Sequence, residues 1–65
     1  MEVIRTYLSL TGRTIGNILS TREGYAFDHF SYSTGELEES FHDGFQTQEE
    51  AEEAWWVYHD EVNGN

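Results

Sequence analysis

Three histidines each stand beside an acid, as Asp28-His29, His42-Asp43 and His59-Asp60. A carboxylate that orients an imidazole is the usual support of a metal ligand. No two of these histidines have the i, i+4 spacing that sets two ligands on one helix face, so the pattern predicts surface histidines and no metal site. The adjacent carboxylates Glu38-Glu39 and Glu49-Glu50 raise a second chemistry, general acid and base as in glycosidases. A chain of 65 residues has little scaffold with which to enclose a cleft of about 300 Å³ and also fill a core. Solvated acids are the expectation instead.

The other catalytic groups are missing. There is no cysteine or lysine to act as nucleophile, and no G-x-S-x-G, P-loop, H-E-x-x-H or EF-hand pattern. The glycines stand singly and form no phosphate cradle. The residues therefore predict a protein that is not an enzyme and that carries neither cofactor nor metal.

Charge is the strongest property of the chain. Thirteen Asp and Glu oppose Arg5, Arg13 and Arg22, for a formal net charge of −10, and neither Lys nor Arg follows Arg22. Such a field repels nucleic acid and anionic membranes and attracts basic protein surfaces. It also keeps an aromatic-rich protein in solution, so acidity alone does not establish a binding role. Glu49, Glu50, Glu52 and Glu53 crowd the start of a helix, where the dipole favours negative charge but the carboxylates repel one another by a few tenths of a kcal/mol per pair. Acids four apart on a helix, or two apart on a strand, are about 6 to 7 Å apart, comparable to adjacent phosphates on a nucleic-acid strand. Glu36, Glu38, Glu39 and Asp43, with Glu49, Glu50, Glu52 and Glu53, are the partner-binding candidates. Trp56 joins them, because it points about 100° away from Trp55 on the helix and exposed tryptophan is enriched at binding hot spots.

The elements that position these residues follow from periodicity. Val3 to Leu10 alternates, with Ile4, Thr6, Leu8 and Leu10 on one face and Val3, Arg5, Tyr7 and Ser9 on the other. Thr11-Gly12 makes a turn. Arg13 to Thr21 continues, Ile15, Leu19 and Thr21 on one side and Thr14, Gly16, Ile18 and Ser20 on the other, with Gly16 marking a bulge or a close backbone approach. Arg22-Glu23-Gly24 turns into an aromatic third strand, Tyr25 to Tyr32. Ser33 to Glu36 turns again, and Leu37 to His42 forms a short acidic edge strand that Asp43-Gly44 breaks. Thr47-Gln48-Glu49-Glu50 is a capping box. The stripe Ala51, Ala54, Trp55, Tyr58 and Val62 faces the sheet, and Asn63-Gly64 ends the helix.

The predicted fold is α+β, a four-stranded antiparallel sheet with a C-terminal helix on one face, in a single domain spanning residues 1–65. With no disulfide possible, ten aromatic residues must supply the core. Neither an apolar run of membrane-spanning length nor the features of a signal peptide occur, so the expectation is a cytoplasmic protein without a membrane role, a monomer or a homodimer.

The lysine-free acidic run from Glu23 to Glu61 and the segment Gly44-Phe45-Gln46-Thr47-Gln48-Glu49-Glu50-Ala51, a strand running into a capped helix, resemble the small acidic proteins that bacteriophages use against host defence. These are anti-CRISPR and anti-restriction proteins of the DNA-mimic type. The resemblance implies an inhibitor that occupies the basic surface of a nucleic-acid-binding host protein or nuclease complex in the bacterial cytoplasm, without touching nucleic acid itself. The alternative is a general protein-interaction or regulatory module that uses an aromatic surface, possibly as a homodimer. A small metal-dependent enzyme would require the three histidines to converge.

Overall fold

A computed structural model describes residues 1–9, 12–33 and 35–62. Four strands, β1 (Glu2–Leu8), β2 (Thr14–Thr21), β3 (Gly24–Ser33) and β4 (Glu36–Phe45), form one antiparallel sheet in sequence order, and α1 (Gln48–Val62) follows. The α+β arrangement is thus the one the alternating pattern and the capping box anticipate. Leu10, Thr11, Thr34 and the Asn63-Gly64 cap lie outside the described residues.

Two strands depart from strict alternation. Asp43-Gly44 does not break β4. Tyr25 pairs with Phe45 and Ala26 with Asp43, which leaves Gly44 as the extra residue of a bulge, at a φ of 93° that favours glycine. The strand therefore runs on to Phe45 and aims the chain toward the helix. In β1, Val3 pairs with Leu19 and Arg5 with Ile18, so Ile4 is the extra residue there. That slip moves Val3 off the face of Arg5 and Tyr7 on which simple alternation puts it.

The helix lies on the face made by Tyr7, Gly16, Ile18, Phe27, His29 and His42. Ile18, Phe27, Ala51 and Trp55 form the buried core, with Tyr7, Tyr25, Phe45, Ala54 and Tyr58 packed around it. Trp55 is only 2% exposed. Removing an indole of roughly 150 to 250 Å² from water is worth on the order of 4 to 6 kcal/mol, enough for one side chain to dominate helix docking. Gly16 makes room for it, since a β-carbon there would run into the Trp55 indole. Tyr7 stacks on the same indole, with ring centroids 4.8 Å apart. Val62, placed on the inner stripe by periodicity, is exposed in the last turn.

Among the described residues, no helix covers the opposite face. Leu8 pairs with Ile15, Ile15 with Phe30, and Tyr32 with Leu37, and this corner is open to solvent: Leu8 is 66%, Tyr32 55% and Leu37 59% exposed. A polar row crosses the same face. The Thr6 hydroxyl donates to Asn17 Oδ1 at 2.7 Å, and Asn17 Nδ2 donates to Asp28 Oδ1 at 2.9 Å.

Candidate functional site

The acids sort by the element that carries them. On β4, Glu38 pairs with Ser31 and Glu36 with Ser33, which puts both on the helix side of the sheet, whereas Glu39 pairs with Phe30 and Asp43 with Ala26 on the bare side. All four are exposed. Because β4 is an edge strand, the carboxylates flank that edge from both sides and do not lie in one plane.

On α1, the Thr47 half of the capping box forms as its residues dictate, and the Glu50 half shifts by one residue. Glu50 N donates to the Thr47 hydroxyl at 3.1 Å, and Gln46 N donates to Glu50 Oε2 at 3.0 Å, one residue earlier than the usual reciprocal bond. Glu50 thus has a structural duty beside any contact with a partner. Glu49 and Glu53 are exposed.

Glu52 is occupied inside the molecule. Its Oε1 accepts the Tyr7 hydroxyl at 2.5 Å and the Arg5 guanidinium at 2.7 Å, and Gln48 Nε2 donates to its Oε2 at 3.4 Å. The Tyr7 hydroxyl, and then the Arg5 bond, hold this carboxyl below its ordinary range, because each favours the charged form. Glu52 therefore fastens β1 to the helix. Trp56 stands beside it, 48% exposed, with its ring 5.1 Å from Tyr7 and 4.7 Å from Trp55 in edge-on packing. Half of its surface is held by neighbours and half is presented to solvent.

Two of the three histidines meet between sheet and helix, which their separation in sequence hides: His29 on β3, buried where a surface residue was expected, and His59 on α1. His29 Nε2 and His59 Nδ1 are 3.2 Å apart, a hydrogen bond whose direction depends on the tautomers. His42 stacks on Phe27 at 4.7 Å and lies 4.8 Å from the Tyr58 ring. Among the described residues, however, no three of His, Asp and Glu are arranged to hold a metal ion. Burial is the main cause that lowers the His29 pKa, the charges of His59 and His42 act the same way, and Asp28 opposes them.

A groove that periodicity does not reveal runs between α1 and β4. It measures about 570 Å³ and is open to solvent, with Phe27, His42 and Phe45 on the sheet side, Ala54, Val57 and Tyr58 on the helix side, and Glu50, Glu53 and Glu61 at its rim. It exceeds the cleft size that so short a chain was expected to enclose, because it is a surface trough and not an interior cavity. Val57 and Glu61 are the residues sequence reasoning passes over; their i, i+4 spacing on the flank of the helix, in line with Glu53, is the signal that finds them.

Among the described residues, no helix is long and apolar enough to cross a membrane. Comparison with known proteins finds no matching family model, no matching curated protein and no matching solved structure.

Proposed function

We propose that this protein is an acidic binding protein that occupies the basic surface of a nucleic-acid-binding protein or defence complex, as an inhibitor of the anti-CRISPR or anti-restriction type. The observation that carries the reading is the segregation of charge. All three arginines precede β3, while β4 and α1 bear Glu36, Glu38, Glu39, Asp43, Glu49, Glu50 and Glu53 with no Lys or Arg among their own residues, and Arg5 of β1 reaches the helix at Glu52. A surface of one sign gains twice from an opposite partner, by attraction at contact and by steered encounter. Carboxylates on both sides of the β4 edge present that charge as a strip, the form in which a phosphate backbone meets a basic groove.

A pull-down from bacterial lysate tests the reading. The captured protein is expected to bind nucleic acid, to be released by excess duplex DNA and to be lost as salt rises. Capture that neither DNA nor salt disturbs would overturn it.

A second reading has its own support in the bare sheet face. Leu8, Ile15, Tyr32 and Leu37 leave an apolar corner uncovered, as an interaction module or homodimer would. Sedimentation of the isolated protein tests self-association, with Leu37→Ser returning any dimer to monomer.

A further inference from the structure

We propose that the groove between α1 and β4 receives an arginine side chain of the partner, an assignment that rests on the basic-surface reading above. The groove is lined by rings from both elements. His42, Phe45 and the helix's Tyr58 are partly exposed and pack on Phe27, which lies buried beneath them at centroid distances of 4.7, 5.7 and 5.9 Å. Aromatic faces attract a cation lying within about 6 Å, and the flat guanidinium satisfies them by stacking in a way a lysine ammonium does not. The rim supplies the opposite charge. Glu50 keeps one carboxylate oxygen beyond its bond from Gln46, and the carboxylates of Glu53 and Glu61 have no hydrogen bond or ion pair among the described residues.

The chemistry of the walls selects among occupants. An apolar side chain would fill the trough but would strip water from three carboxylates without replacing their partners, which is costly. An arginine lays its aliphatic stem along Ala54 and Val57 and delivers its head to the rim, so both kinds of surface are satisfied. A second copy of this chain would have to bring Arg13 or Arg22 into the groove against the mutual repulsion of two chains of net charge −10.

The test is an NMR titration of the isotopically labelled full chain with capped tri-arginine in low salt, against capped tri-lysine. The largest shifts should fall on Val57, Tyr58, His42 and Phe45, and tri-lysine should bind about threefold more weakly. Glu53→Gln with Glu61→Gln should weaken tri-arginine binding by about fivefold or more, while Glu36→Gln with Glu38→Gln should change it less than about twofold. Ala54→Met, which fills the trough without altering charge, should weaken binding similarly. Equal affinity for the two peptides, or shifts centred on Glu36 to Glu39, would overturn the groove assignment and leave the basic-surface reading standing. Absence of tri-arginine binding anywhere would sink both. Concentration-dependent shifts of Val57 and Tyr58 in the protein alone, removed by Arg22→Gln, would overturn the assignment in favour of self-association.

Discussion

The indole Nε1 of Trp55 occupies the space that a β-carbon on Gly16 would fill. This contact sets how closely α1 approaches the sheet, and through Tyr7 and His29, which flank the same indole, it sets the position of β1 and of the histidine pair. Gly16→Ala should cost about 1 to 3 kcal/mol by overpacking. Urea unfolding followed by tryptophan fluorescence measures it. Unchanged stability would mean that the helix can lift without loss.

Thr47→Ala should cost about 0.5 to 2 kcal/mol, because the Glu50 amide loses the hydroxyl that caps it. Thermal unfolding followed by circular dichroism reads this directly. Thr47→Ser keeps the oxygen and should restore most of the stability.

Tyr7→Phe removes the hydroxyl that donates to Glu52 while keeping the ring on Trp55. A bond to a charged acceptor in a half-exposed site should be worth about 1.5 kcal/mol. Arg5→Gln should cost less, since its guanidinium is mostly in water. Equal losses in the two variants would contradict this ranking of the two ties on Glu52.

His29 makes stability depend on pH. Its folded pKa lies below the unfolded value near 6.5, so between the two the unfolded chain binds more protons. Its contribution is therefore fully present above about pH 6.5 and is lost as pH falls through the folded pKa. Stability measured from pH 7.5 to 5 should decline, and His29→Gln should flatten the decline. A parallel decline in that variant would place the titration elsewhere.

Local signals were legible in the sequence and pairwise ones were not. The Thr47 to Glu50 cap involves neighbours on one turn, and its residue types suffice to place the helix start. Gly16 stood out as an anomaly inside a strand, open between a weakened strand, a bulge and a close backbone approach, and nothing local names the Trp55 side chain as the group that approaches. Alternation described the two faces of β1 and β2 without saying which one the helix covers; the aliphatic set with Leu8 and Ile15 is the bare one, because the bulky indole needs the trough at Gly16. The bulges at Ile4 and Gly44 depend on register with a partner strand, which no single strand encodes. For the same reason the His29 and His59 contact, bridging strand and helix, was hidden. Among the candidate site residues, Glu52 looked like its acidic neighbours until Tyr7 and Arg5 were brought against it.

The carboxylates suited to charge reversal are those without such duties. Glu36→Lys, Glu38→Lys and Glu39→Lys on β4, or Glu49→Lys with Glu53→Lys on α1, should leave the circular dichroism spectrum intact. Glu52→Lys should loosen β1, and a binding defect in that variant would report the fold.

The most direct measurement of the central claim is the affinity of these β4 and α1 charge-reversal variants, and of Trp56→Ala, for the protein captured from lysate, across a range of salt. Charge reversal should abolish binding, and wild-type affinity should fall steadily as salt approaches physiological strength, where the screening length is about 8 Å. Trp56→Ala, whose contact is desolvated packing, should lose the same amount at every salt concentration. Binding that survives every charge reversal and is destroyed by Trp56→Ala alone would contradict recognition of a basic surface by these carboxylates.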